Sequence, residues 1–213
     1  MKDKYVPALR FGILTRLYDP VMNVIMPEDA FKNSLVRHAN IGKDKKILDL
    51  GCGTATLTIM IKKSHPDAIV IGLDGDPKIL EIARSKVSES GFDIALDTGM
   101  AFELPYPDHY FDRVFSSLML HHLSRENKKR TFKEVFRVLK PGGELHAADF
   151  GKPQNAIMYL ISLVMRRLEE TMDNIKGLLP EMFRDAGFAQ VNETARYMSI
   201  FGTISLYRGV KPE

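Results

Sequence analysis

Two glycines and a carboxylate form the clearest chemical pattern in this sequence. Gly51 and Gly53 follow a short apolar run at residues 47–50, and a glycine turn before a helix lets a ligand approach backbone N–H groups closely. Asp74 ends the next apolar run, about 20 residues later, where a carboxylate can accept hydrogen bonds from both hydroxyls of a ribose. The alternative for the glycines alone is a tight strand–helix turn. Thr56 stands where a dinucleotide fingerprint requires a small residue, which weakens a nicotinamide interpretation.

Three further residues are candidates for accepting a proton. His121 and His122 follow the fourth predicted strand, and Asp149 ends the fifth. The ordinary pKa of histidine, about 6.5, suits proton removal at neutral pH. A structural interpretation is equally available, because the histidine pair precedes a helix cap at Ser124. No spacing typical of a metal site includes these residues, so we expect no bound metal.

Alternating strands and helices position these side chains. The predicted strands are residues 47–50, 68–73, 93–96, 113–117 and 144–148. Asp76, Pro77 and Gly91 have the spacing of an N-cap, a first helical residue and a helix stop. Two more runs, at 189–194 and 200–210, predict a terminal hairpin. The pattern predicts a doubly wound α/β fold with a mainly parallel seven-stranded sheet and a C-terminal antiparallel hairpin, and ligands bind beyond the carboxyl ends of such strands.

Helix boundaries follow from the same periodicity. We expect helices at residues 55–63 and 178–186, and another whose apolar face ends at Leu139. The sequence Pro-Gly-Gly at residues 141–143 predicts a turn from that last helix into the fifth strand.

A wide apolar stripe after the fifth strand is the main indication of a substrate. It predicts a helix formed by Ile157, Leu160, Ile161, Val164, Met165 and Leu168. Methionines at 158, 165 and 172 would give an adaptable surface that covers a hydrophobic ligand. The alternative is ordinary core packing of an amphipathic helix. Arg166 and Arg167 could meet an anionic substrate, although cations are common near helix ends.

Composition excludes several classes of protein. The chain has 213 residues, 45% of them hydrophobic and 27% charged, with a net charge of +3 and a single cysteine, Cys52. Scattered basic residues argue against nucleic-acid binding, and one cysteine forms no intramolecular disulfide. The longest apolar run is shorter than the ~20 residues that span a bilayer, and no signal peptide is evident. We therefore expect a cytoplasmic protein without an integral membrane segment, acting on a small molecule, and the sequence leaves the oligomeric state open.

Several motifs in order resemble those of the class I S-adenosylmethionine-dependent methyltransferases, particularly the branch with the ubiquinone and menaquinone biosynthesis enzymes. The resemblance covers roughly residues 46–150, and Leu17-Tyr18-Asp19-Pro20 extends it loosely upstream. The motifs are Asp49-Leu50-Gly51-Cys52-Gly53-Thr54, Asp74, Leu104-Pro105-Tyr106-Pro107-Asp108, Leu120-His121-His122-Leu123 and Arg137-Val138-Leu139-Lys140-Pro141-Gly142-Gly143.

The resemblance implies S-adenosylmethionine as cofactor and a Rossmann-like single domain. Residues 1–40 would form an N-terminal helical cap, 41–150 the cofactor-binding core, 151–176 a substrate-side segment, and 177–213 the final helix and strands. The methionine half of the cofactor would lie along Asp49, Gly51, Gly53 and Thr54. Asp74 and Gly75 would hold the ribose and adenosine, and Met100 and Ala101 the adenine. The segment Ser116 to Met119 would border the sulfonium and the acceptor, under a cap carrying Tyr18.

Two departures from the family pattern bear on cofactor binding. The family often has glycine where Ala55 stands, and it usually has an adenine-binding Asp where Met100 stands. Methionine packs well against a purine but is a weak hydrogen-bond acceptor.

From the resemblance as a whole, our principal hypothesis is a small-molecule methyltransferase with an apolar or quinone-like acceptor. The alternatives are a non-catalytic S-adenosylmethionine-binding module that acts through a protein partner, and a nicotinamide-dependent oxidoreductase.

Overall fold

The computed structural model describes residues 28–165 and 171–213. The expectations for Tyr18, Arg166, Arg167 and Leu168 lie outside the described residues. The part of the predicted N-terminal cap that is described is helix α1, Glu28–His38.

Within these ranges, seven strands form one sheet in the order β3-β2-β1-β4-β5-β7-β6. Neighbours from β3 to β5 pair in parallel, and β7 joins β5 and β6 antiparallel, as predicted. Strand order reverses between β1 and β4, which opens a crevice at the carboxyl ends of the strands. The strands are β1 Lys46–Leu50, β2 Ile69–Asp74, β3 Ala95–Thr98, β4 Phe111–Ser117, β5 Leu139–Phe150, β6 Ala189–Ser199 and β7 Gly202–Val210.

Helices cover both faces of the sheet. The clusters of buried residues place α1 and α2 against one face and α4 and α7 against the other. After α1, the described helices are α2 Thr56–Ser64, α3 Pro77–Ser90, α4 Arg125–Val138, α5 Ala156–Met165, α6 Met172–Ile175 and α7 Leu179–Asp185, with a single 3₁₀ turn at Leu120–His122.

Local sequence signals explain where helix α3 begins and ends. The Asp76 carboxylate accepts a hydrogen bond from the Lys78 N–H at 2.9 Å, and Pro77 is the first helical residue. Gly91 ends the helix with φ of 69°, a conformation that costs glycine little. These three residues confirm the predicted boundaries of this helix.

The region around β5 differs from the prediction. Leu139, expected on a helix face, is the first residue of β5 and pairs with Phe111. The helix ends at Val138, whose carbonyl oxygen accepts a hydrogen bond from the Tyr110 N–H at 2.7 Å. Residues 141–143 consequently lie within an irregular part of β5 whose pairing with β4 shifts register.

The third strand and helix α5 also differ from expectation. Strand β3 begins at Ala95, because its pairing with β2 sets its register from Ile71↔Ala95 onward. On α5, Ile157 is 66% and Leu160 63% exposed, so core packing is the wrong interpretation for these two residues. Among the side chains described for residues 156–163 of this helix, Met158 and Ser162 are buried.

Candidate active site

A cleft of about 160 Å³ lies at the carboxyl ends of β1, β2 and β4. Residues from all three strand ends, from α1 and from the segment after β3 contribute to its wall. Those that the sequence predicted as site residues are Gly51, Gly53, Thr54, Asp74, Gly75, Met100, Ala101 and His122. Asp49, Ser116, His121 and Asp149 lie behind the wall instead of lining it.

The glycine turn after β1 is held by hydrogen bonds to β2. The N–H groups of Gly51 and Cys52 both donate to the Leu73 carbonyl oxygen, at 2.8 and 3.0 Å. Gly51 has φ of 71° and Gly53 of 53°, which favours glycine at both positions. A side chain at Gly53 would meet nothing within 4 Å, so the cleft is open above this residue.

Asp74 faces the cleft and also braces the turn. One carboxylate oxygen accepts the Gly53 N–H and the other the Asp76 N–H, each at 2.9 Å. Burial raises the pKa of Asp74, although these backbone hydrogen bonds oppose the shift. Carboxylate oxygens accept more than one hydrogen bond each, so the residue can still accept from a ligand's ribose.

Asp49, expected along the cofactor, turns away from the cleft. Alternation along β1 directs its carboxylate towards α2, where the Thr58 hydroxyl donates to it at 2.6 Å. Its side chain is completely enclosed, and burial raises its pKa to about 6. In this structure Asp49 therefore supports the strand end and not the cleft surface.

Met100 occupies the region expected for adenine. Its sulfur stands 3.0 Å from the position that a Cβ on Gly75 would take, so the two residues share one wall. Asp97, the nearby carboxylate, accepts a hydrogen bond from the Tyr106 hydroxyl at 2.8 Å and does not line the cleft. The wall at Met100 consequently offers packing without a carboxylate acceptor.

A buried network stands behind His122. The Asp149 carboxylate is 2.9 Å from His121 Nδ1 and also accepts from the Asn174 side chain at 2.9 Å and from the Phe150 N–H at 2.7 Å. Burial tends to raise the pKa of Asp149, but the charge and hydrogen bond of His121, the Phe150 N–H and the charge of Lys128 lower it below its ordinary value. Asp149 is 0% exposed and does not line the cleft, and its role as a proton acceptor stays a prediction.

His122 is the member of this group that reaches the cleft. Its ring lies 4.0 Å from the ring of His121, centroid to centroid. Burial lowers the pKa of His122 to about 4, and the neighbouring His121 acts in the same direction. The His122 imidazole is therefore neutral throughout the physiological pH range, and its ring can accept a hydrogen bond from a ligand.

The predicted segment Ser116 to Met119 reaches the cleft through Ser117, Leu118 and Met119, whereas Ser116 lies behind them. The buried Ser117 hydroxyl has no hydrogen-bond partner among the described residues. Glu28 and Lys32 contribute charges from α1. Opposite charges four residues apart are common on surface helices, so no sequence signal distinguishes this pair.

These features fit an adenosine cofactor. The turn leaves space above Gly53, Asp74 presents a carboxylate, and the Ser117 hydroxyl is an unpartnered polar atom at the cleft. Across residues 28–165 and 171–213, no cluster of three metal-ligating side chains occurs. The helices in those same ranges include none long and apolar enough to cross a membrane.

Comparison with known proteins agrees with the geometry. The family model described as a methyltransferase domain matches residues 47–143. A demethylmenaquinone methyltransferase of Listeria welshimeri is 31% identical over 82% of this chain and 81% of its own length. One of Symbiobacterium thermophilum is 29% identical over 99% of this chain and 94% of its own. The fold matches a putative methyltransferase of Bacillus halodurans with TM-score 0.66 and 18% identity, over 85% of this chain and 99% of that one.

A doubly wound sheet with this cleft, together with these similarities, defines an S-adenosylmethionine-dependent methyltransferase. The chain belongs to the class I family of these enzymes, in the branch that resembles the menaquinone biosynthesis methyltransferases. S-adenosylmethionine is accordingly its cofactor, as the motifs predicted.

Proposed function

We propose that this enzyme methylates a quinol-like aromatic acceptor, with His122 as the group that accepts the acceptor's proton. The observation that carries the proposal is the position of a neutral imidazole in the cleft beside apolar residues. Near His122 in sequence, Leu118, Met119 and Leu123 also line the cleft. The names of the relatives at about 30% identity support a quinone-like acceptor.

Different residues would bind the acceptor, orient it and accept its proton. When bound, S-adenosylmethionine supplies an electrophilic methyl group, whose bond to sulfur breaks as a bond to the acceptor forms. The acceptor must then lose a proton, and His122 is placed to take it. Asp149 and His121 act as positioning residues, because their hydrogen bond fixes the ring against which His122 packs. The apolar wall would align the acceptor and exclude water.

The test is methyl transfer to a demethylated naphthoquinol. We expect the protein and S-adenosylmethionine to yield the C-methylated quinol, detected by mass spectrometry. His122→Gln should lower kcat by roughly a hundredfold or more, because a positioned general base contributes about that much. S-adenosylhomocysteine binding should persist in this variant.

A matched control separates this role from a general loss of histidine. His38 is exposed at the end of α1, and His38→Gln should leave kcat unchanged. Absence of methylated quinol, with cofactor binding intact, would contradict the proposed acceptor. Full activity of His122→Gln would contradict the proposed base.

A further inference from the structure

Two oppositely charged side chains of α1 form part of the cleft wall. Glu28 and Lys32 lie one helical turn apart and form an ion pair, with side chains only 11% and 8% exposed. Both line the cleft. An exposed pair of this kind contributes little, whereas burial of both charges beside a cavity has a desolvation cost. Such an arrangement suits a ligand that carries both charges itself.

The pair stands at the glycine-turn end of the cleft. Burial raises the pKa of Asp49 to about 6, and the opposing influences are the Thr58 hydrogen bond and then the positive charge of Lys32. Phe31, next to Lys32 on α1, packs in one buried cluster with Ile47 of β1 and Leu57 of α2, so the pair lies on the β1 side of the cleft. Asp74 reaches the glycine turn from the other side, at the end of β2, and Met100 follows β3. The cleft has one wall with a buried ion pair and another suited to a nucleoside.

The cofactor has a matching polarity. Its adenosine carries no net charge, whereas its other end is an α-amino acid with one carboxylate and one ammonium group. Lysine pairs with the first and glutamate with the second through charge-assisted hydrogen bonds. We propose that Lys32 and Glu28 form a zwitterion site that binds the amino-acid end of S-adenosylmethionine and S-adenosylhomocysteine. The proposal does not depend on the identity of the methyl acceptor.

Calorimetric titration with two ligands isolates this site. 5′-Methylthioadenosine keeps the adenosine and sulfur of S-adenosylhomocysteine but lacks the amino acid. We expect Lys32→Met to weaken S-adenosylhomocysteine binding by roughly ten- to a hundredfold and to leave methylthioadenosine binding unchanged. Lys63→Met, at an exposed residue of α2, is the matched control and should change neither affinity.

The comparison of the two ligands tests whether Lys32→Met weakens binding of the amino-acid end alone. Equal losses for both ligands would show a purely structural role for Lys32 and overturn the proposal, as would an unchanged affinity for S-adenosylhomocysteine. Lys32→Arg keeps the charge and should largely restore binding.

A second variant keeps the test independent of Lys32. Glu28→Gln should weaken the binding of S-adenosylhomocysteine and also of its decarboxylated analogue, which retains the ammonium group. Methylthioadenosine binding again serves as the measure of an intact fold. If the decarboxylated analogue binds Glu28→Gln and the unaltered protein equally well, the assignment of Glu28 is wrong.

Discussion

At the scale of single residues, burial determines which side chains can exchange protons. His121 and Asp149 are sequestered together, and their hydrogen bond leaves His122 as the imidazole at the cleft. The pKa of His122 is lowered to about 4, first by burial and then by His121. A base of this kind stays neutral in acid that would protonate an ordinary histidine.

The lowered pKa of His122 predicts a specific dependence of stability on pH. The unfolded chain binds a proton at His122 near pH 6.5, but the folded chain does so only near pH 4. Acidification from pH 7 to pH 5 therefore favours the unfolded state. We expect the unaltered protein to lose about 1 to 2 kcal/mol of unfolding free energy relative to His122→Gln over this range.

Urea denaturation at the two pH values measures this difference. The raised pKa of Asp49 acts in the opposite direction, since its protonated form is favoured in the folded state. That influence is common to both proteins and cancels in the comparison. Identical pH dependences for the unaltered protein and His122→Gln would show that the His122 pKa is not lowered.

At the scale of elements, the turn between β1 and α2 combines two different demands on glycine. A Cβ on Gly51 would stand 2.3 Å from Met119 Cγ and 2.7 Å from Met119 Cβ, whereas one on Gly53 would meet nothing within 4 Å. Both residues have positive φ. Gly51 is therefore required for packing as well as conformation, and Gly53 for conformation alone.

Alanine substitutions should separate these demands. Gly53→Ala should cost about 1 to 2 kcal/mol of unfolding free energy, the usual penalty for a left-handed residue with a side chain. Gly51→Ala should cost more, because Met119 must also move. Chemical denaturation of the two variants provides the measurement. Equal losses would indicate that the contact with Met119 is easily relieved.

Elements with strong local signals were predictable from the sequence, and those set by distant contacts were not. Asp76, Pro77 and Gly91 fix α3 through hydrogen bonds within a few residues. At the end of α4, by contrast, the Val138 carbonyl oxygen accepts from the Tyr110 N–H, 28 residues away in sequence, and Leu139 pairs with Phe111. Single-sequence periodicity contains no information about such pairings.

The site shows the same division. Asp74 and the two glycines line the cleft. The sequence predicted them because strand ends and glycine turns have local sequence signals. Strand alternation directs the Asp49 side chain to one face of the sheet, but the sequence does not show that α2 covers that face and encloses the carboxylate. The ion pair of Glu28 and Lys32 reaches the cleft because α1 packs across the sheet through Phe31, a tertiary contact without a local signature.

At the scale of the whole molecule, the antiparallel hairpin completes the sheet and connects the C-terminal residues to its centre. β7 pairs with β5 along its length, from Glu144↔Val210 to Phe150↔Ile204. Beyond β7, the Lys211 ammonium donates to the carbonyl oxygens of Phe136 at 2.7 Å and Leu139 at 2.8 Å, at the end of α4. The C-terminal residues thus hold β5 and the end of α4 in place through backbone pairing and the hydrogen bonds of Lys211.

We propose that the cleft binds the adenosine of S-adenosylmethionine through Asp74. The most direct measurement is calorimetric titration of the protein with S-adenosylhomocysteine, with NAD as the control ligand. We expect micromolar affinity for the former, no binding of NAD, and at least a tenfold loss in Asp74→Ala, because hydrogen bonds to a charged group are removed. Asp67→Ala, at an exposed residue before β2, should bind normally. An unchanged affinity in Asp74→Ala, or no binding by the unaltered protein, would contradict the account.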